Sequence, residues 1–152
     1  MELAEIIERR QSDRQYLDKP VEKEKLTKCL RAARLAPSDH NTQPWRFVVV
    51  DDASLKDRIA SAASGFGMNG WCGRAPVIVA VVLDPPVSSK IASFLTDKNF
   101  GLMDIGMAVE HFCLQAAEIG LGTCILGAFN EKKVARLLGV PRGKRLPLLI
   151  TV

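Results

Sequence analysis

Aromatic residues are scarce in this chain: six Phe, two Trp and one Tyr among 152 residues. No run of basic residues has aromatics set between them, and the formal net charge is only +4. That argues against a nucleic-acid-binding surface, while leaving room for an anionic ligand such as a phosphate. Cysteine is also sparse. Cys29, Cys72, Cys113 and Cys124 form no pair at metal-ligand spacing, so no metal site is expected. Cys29, Cys113 and Cys124 lie among apolar neighbours and read as buried thiols of a reducing cytoplasm. No apolar run approaches the roughly 20 residues that span a bilayer. The acidic opening Glu2-Leu3-Ala4-Glu5 is unlike a secretory signal, so a cytoplasmic protein away from membranes is expected. Repeats, low-complexity tracts and linkers are missing, which predicts one domain over residues 1–152. There is no Ser-His-Asp ordering, Walker loop, HExxH or dinucleotide GxGxxG. A nicotinamide, if used, would then be a visiting substrate and not a held cofactor.

What is present is a regular alternation of elements. Leu3, Ile6 and Ile7 have helical spacing, with acids early and Arg9-Arg10 late, as the helix dipole favours. A second helix should start after Pro20, carry Leu26, Leu30 and Ala33, and stop before Pro37. Residues 37–44 are polar with a proline at each end, hence a loop, and Trp45 to Val50 reads as a buried strand. Ala53 to Ala63 should be helical, followed by a loop through Gly65, Gly67, Gly70 and Gly73. Ala75 to Leu83 is the most apolar strand, and a short helix is expected around Ile91 to Leu95. Gly101 to Ile119 is a long helix apolar on most sides, which must be buried centrally or in a subunit interface. Thr123 to Leu126 reads as a strand, Glu131 to Leu138 as a helix and Leu146 to Val152 as a last strand. The pattern is α/β, and by alternation alone it favours a parallel sheet.

Three segments hold more polar groups than their structural role demands. Arg9-Arg10-Gln11-Ser12-Asp13-Arg14 offers guanidinium forks that match phosphate oxygens, with a hydroxyl and an amide beside them. The plainer alternative is a solvated helix end. Pro37-Ser38-Asp39-His40-Asn41-Thr42-Gln43-Pro44 is a pinned, donor-rich loop ahead of a strand, either a ligand loop or a locally satisfied turn. Gly120-Leu121-Gly122-Thr123 through Gly127-Ala128 would let a flat ligand approach the backbone, or simply mark turns. His111, on the long helix, reads as a hydrogen-bonded core or interface residue. His40 reads as an exposed loop residue close to the second segment.

Taken together and in order, these segments resemble the nitroreductase family. Residues 9–14 are similar to its Arg-Arg-Ser-x-Arg opening. Ala33-Arg34-Leu35-Ala36-Pro37-Ser38 with Asn41, Gln43, Pro44 and Trp45 resembles its ARxAPSxxNxQPW signature. Ala75-Pro76-Val77-Ile78-Val79 resembles the strand that follows, and Gly120-Leu121-Gly122-Thr123 with Gly127 resembles its GLGT…G segment. The resemblance implies an α+β fold with a mixed, mainly antiparallel central sheet flanked by helices. It also implies an intertwined homodimer with one FMN in each of two interface sites. By position, Arg10, Ser12 and Arg14 would hold the phosphate and ribityl chain, with Gln11 near the polar edge of the ring. Pro37, Ser38 and Asn41 would come from the partner subunit. Gly127 and Ala128 would lie at the ring, the Gly127 N–H directed at N5, and Asn69 would reach the pyrimidine edge.

The activity implied is ping-pong transfer of hydride from NAD(P)H to an electron-poor acceptor such as a nitroaromatic or quinone. No catalytic side chain is expected, because the flavin carries the chemistry; His40 is the candidate to give the acceptor a proton. Two departures from the family pattern stand out. The sequence ends at Thr151-Val152, where the family continues with Gly-Tyr-Pro and basic residues that complete the phosphate site. The stretch between Leu83 and Gly101 is short, which predicts an open and unselective pocket. The rivals are a flavin carrier or redox sensor with little turnover, and a basic nucleic-acid module built on Arg9, Arg10 and Arg14.

Overall fold

A computed structural model describes the backbone of residues 1–152 and every side chain except those of Phe66, Ser88, Ser89 and Ala92. The elements in chain order are α1 (Leu3–Arg9), α2 (Lys23–Arg34), β1 (Trp45–Val50), α3 (Ala53–Ala63), β2 (Ile78–Leu83), α4 (Val87–Thr96), α5 (Phe100–Glu118), β3 (Cys124–Leu126), α6 (Glu131–Leu137) and β4 (Arg145–Thr151). Local chemistry explains several boundaries. Asp52, Asn99 and Asn130 cap α3, α5 and α6 by accepting from Leu55, Leu102 and Lys133 N–H groups that the helices leave unpaired. Strand β2 begins three residues later than the apolar run suggests, because Cys72–Arg74 form a tight turn and Pro76 has no N–H to give a ladder.

The four strands lie in the order β1-β2-β4-β3, and every ladder is antiparallel. The parallel sheet that alternation alone favours is therefore overturned, and the antiparallel sheet implied by the family resemblance is found. One parallel element remains, an isolated bridge between Ser12 and Thr123, the residue before β3. Strand β2 is central and buried along its whole length, so it separates two cores. Its residues Val79, Val81 and Leu83 face α2 and α5, packing with Leu26, Cys29, Ile105, Val109 and Phe112. Ile78, Ala80 and Val82 face α3 and α6, with Ile59, Ala63, Val134 and Leu146. The period-2 alternation of a strand sends each set to its own layer.

Helix α5 buries one side, including Ile105, Ala108, Val109, Phe112 and Ala116. The outward side keeps Met103, 54% exposed, and Met107, so a large apolar surface stays open. Beside it, a groove of about 360 Å³ runs between α1, α2 and α5, lined by Leu3, Ile6, Ala32, Leu35 and Leu114. Helix α4 makes up most of the short segment between β2 and α5, and its Phe94 is 87% exposed. Among the described residues, no helix is long and apolar enough to cross a membrane. All four cysteines are free and buried. Burial pushes the Cys29 thiol up to about 12 and the Cys113 thiol up to about 11.

Candidate functional site

The chain leaves α1 at Arg10 in extended form and pairs with the edge of the sheet. Besides the Ser12–Thr123 bridge, the Asp13 N–H donates to Thr123 O at 2.9 Å. Side chains of an extended segment alternate. Gln11 and Asp13 share one face, where the Gln11 amide donates to Asp13 Oδ1 at 3.0 Å. Ser12 and Arg14 take the other. The segment is locked by Tyr16, whose hydroxyl donates to Asp13 O at 2.7 Å and lies 2.6 Å from Thr151 Oγ1 in β4. Thr151 Oγ1 in turn donates to Cys124 O of β3. Gly122 is required here, since a Cβ at that position would stand 2.7 Å from Asp13 Oδ2 and 3.1 Å from Asp13 Cβ.

The Ser12–Arg14 face continues across the glycine-rich loop. The Arg14 guanidinium sits over the Trp71 ring at 5.9 Å from its centroid. Asn69, at a left-handed φ of 58°, donates its amide to Ala63 O at 3.1 Å and to Ala128 O at 2.7 Å. Both amide hydrogens are thereby used, so the Asn69 carbonyl oxygen is what remains for a ligand. Gly127 and Ala128 are exposed just after β3. An apolar cleft of about 460 Å³, lined by Ala62, Met68, Ala128 and Phe129, opens next to them. The structure thus links Ser12 and Arg14 to Trp71, and Asn69 of the same loop to Ala128 beside Gly127. It turns Gln11 to the opposite face, where Gln11, Arg9, Arg10, Asp13 and Gly122 line a cavity of about 190 Å³. Arg10 belongs to that cavity, its Nε 3.7 Å from Glu110 Oε1 on α5. The supporting residues Tyr16 and Trp71 escaped sequence reasoning; the only signal was an isolated aromatic on either side of otherwise polar, glycine-rich stretches.

The loop of residues 37–44 stands apart. It is moored to α5 by the Asp39 N–H, which donates to Asp104 Oδ1 at 3.1 Å. Asp104 is buried, and that burial raises its carboxyl above the usual range. Inside the loop the Gln43 N–H donates to Ser38 Oγ and the Gln43 amide to Asn41 Oδ1. Asp39 Oδ1 lies 2.7 Å from His40 Nδ1, and the His40 side chain is exposed. His40, Asn41 and Gln43 all have positive φ, and the buried Thr42 hydroxyl has no hydrogen-bond partner. Such costs cluster at functional sites. Among the described residues, no hydrogen bond or ion pair joins this loop to residues 10–14 or 127–128. His111 packs as expected, with Nδ1 3.3 Å from Ala32 O.

The sequence pattern of the Nitroreductase family matches residues 7–67 and 63–152 of this chain. An NADH dehydrogenase of Thermus thermophilus is 40% identical over an alignment covering 95% of this chain and 82% of its own. The crystal structure of a nitroreductase family protein from Clostridium novyi superposes with a TM-score of 0.89 at 31% identity, covering 99% of this chain and 85% of that one. An FMN-dependent nitroreductase from Clostridium difficile superposes with a TM-score of 0.80 at 28% identity, covering 96% and 83%.

Proposed function

This chain belongs to the nitroreductase family, and from that membership together with the site geometry we propose that it is an FMN-dependent NAD(P)H oxidoreductase whose sites form between two copies. The observation that carries the reading is the clamped strand of residues 10–14. Its pairing with Thr123, the residue before β3, sets Arg14 over Trp71, and Asn69 of the adjoining loop reaches Ala128 beside the exposed Gly127. A planar group bearing a phosphate fits that face: cationic forks at one end, an exposed glycine at the other.

In this reading Arg10, Ser12 and Arg14 hold the phosphate and ribityl chain. The Gly127 N–H would donate toward the ring, and Asn69 would offer it a carbonyl oxygen. Gln11 braces Asp13 and is not assigned to the ring. Bound FMN supplies two-electron chemistry between a reduced nicotinamide and an electron-poor acceptor such as a nitroaromatic or quinone. The protein's part is to bind, orient and keep one face open. Among the described residues, the loop of Pro37, Ser38 and Asn41 is not bonded to this face within one chain. A second copy supplies the rest, docking on the open apolar side of α5 and contributing Pro37, Ser38 and Asn41.

The test is titration of the apoprotein with FMN and with riboflavin, read by flavin fluorescence. About one FMN per chain is expected. Hydrogen bonds to charged groups are worth about 1.5–3 kcal/mol each, so Arg10→Ala or Arg14→Ala should weaken FMN about tenfold to a hundredfold and riboflavin much less. A protein that quenches neither flavin, or variants that lose both ligands equally, would overturn the assignment. NAD(P)H oxidation with a quinone then separates an enzyme from a flavin carrier.

A further inference from the structure

We propose that Trp71 is a positioning residue that sets the phosphate grip through Arg14, with Tyr16 holding the indole in place; this rests on the FMN reading above. Arg14 is exposed, and the hydrogen bond its guanidinium makes within the chain, to Ser12 O, is long at 3.4 Å. Among the described residues, no carboxylate lies within ion-pair distance of it, whereas Arg10 is near Glu110. An arginine side chain so placed would sample many rotamers in the absence of a further support. The Trp71 ring is that support. A cation over an aromatic face is attracted by the ring quadrupole. Unlike a carboxylate partner, the ring neither neutralises the guanidinium nor uses up its N–H donors. Arg14 is thus held in place while its full charge and its fork of donors stay available to a dianion.

The ring is itself fixed. Trp71 is half-buried against the core under α3. Its other neighbour is Tyr16, stacked at 6.3 Å between centroids with 23° between planes. The Tyr16 hydroxyl is bonded to Asp13 O and Thr151 Oγ1, and Thr151 to Cys124 O. The indole thus contacts both the Arg14 guanidinium and a phenol tied to β4 through Thr151.

The experiment measures FMN and riboflavin affinities of wild type, Trp71→Leu and Trp71→Phe, each alone and with Arg14→Ala. Trp71→Leu keeps apolar bulk and removes the aromatic face. It should weaken FMN about threefold to tenfold, the size of a cation–π contact, with riboflavin within about twofold. Trp71→Phe should restore most of the loss. Over Arg14→Ala, neither Trp71 variant should weaken FMN further. Should Trp71→Leu fail to fold, Trp71→Phe carries the test alone, with a loss of about twofold that vanishes over Arg14→Ala. Equal losses for both flavins, or losses that multiply in the double variants, overturn the positioning role. A wild type with no preference for FMN over riboflavin overturns the FMN reading and this inference with it. A preference that Trp71 variants leave untouched overturns this inference alone.

Discussion

Gly122→Ala and Gly127→Ala make the same chemical change five residues apart, and the structure requires different outcomes. At Gly122 the new methyl would meet three atoms of Asp13: Oδ2 at 2.7 Å, Cγ at 3.0 Å and Cβ at 3.1 Å. Swinging the carboxylate away relieves the first contact but breaks the Gln11–Asp13 hydrogen bond. The contact with Cβ cannot be relieved by rotation, so the backbone of residue 13 must move away from Thr123, to which it is bonded at 2.9 Å. Overpacking of this kind costs about 1–3 kcal/mol. For a chain of this length each kcal/mol is about 2–4 °C, so Tm should fall by roughly 2–12 °C. FMN should also weaken, because Ser12 and Arg14 ride on the displaced strand. At Gly127 the nearest atom to an added methyl is Leu148 Cδ2 at 3.7 Å, an ordinary contact. Its stability should stay within about 0.5 kcal/mol of wild type, while FMN affinity drops because the methyl crowds the backbone that the ring is proposed to approach. Thermal melts and flavin titrations of both variants decide the matter. An unchanged melt for Gly122→Ala would refute the clamping of residues 10–14, and full FMN affinity in Gly127→Ala would refute the approach of the ring to that backbone.

Two further outcomes are expected. Burial holds the Tyr16 phenol up to about 12, above its ordinary 10. Its contribution to stability is therefore complete below pH 10 and lost as pH rises toward 12; Tyr16→Phe should flatten the fall of Tm over that window, and parallel curves would refute the link. In a shared-site dimer, mixing Arg10→Ala with the Ser38→Ala, Asn41→Ala double variant under subunit exchange should restore part of the NAD(P)H oxidation, since each mixed dimer keeps one intact site. Continued inactivity with exchange confirmed would assign each site to a single chain.

Much of the fold was legible because its boundaries are set locally. Strand β1 and helix α3 fall where the sequence puts them, the first between Pro44 and Asp51, the second behind the Asp52 cap. The direction of the sheet was not legible from alternation, since β2 finds β4 some 70 residues away and their pairing depends on which faces the helices cover. The family resemblance carried that information where periodicity did not. The candidate site divides in the same manner. Ser12, Arg14 and Gly127 were visible as chemistry out of proportion to structural need. The direction of Gln11 depends on the switch from helix to extended backbone after Arg10, which helical spacing does not show. Trp71 and Tyr16 were invisible because their role depends on contacts across the fold.

The loop of residues 37–44 shows how far one chain can explain itself. Three non-glycine residues at positive φ and an unpartnered Thr42 hydroxyl are costs, each on the order of 1–2 kcal/mol. They persist because Asp104 anchors the loop on one side and the buried pair Pro44–Trp45 on the other. Internal hydrogen bonds already fix Ser38, Asn41 and Gln43 relative to one another, so the loop is shaped before any ligand arrives. Preorganisation of this kind is useful only to a ligand that reaches it. On our reading that ligand is held mainly by another copy of the chain, and the two halves of the site meet when the apolar side of α5 is covered. Cofactor binding and dimerisation then share one free energy: FMN should tighten the dimer by the same factor by which the dimer tightens FMN.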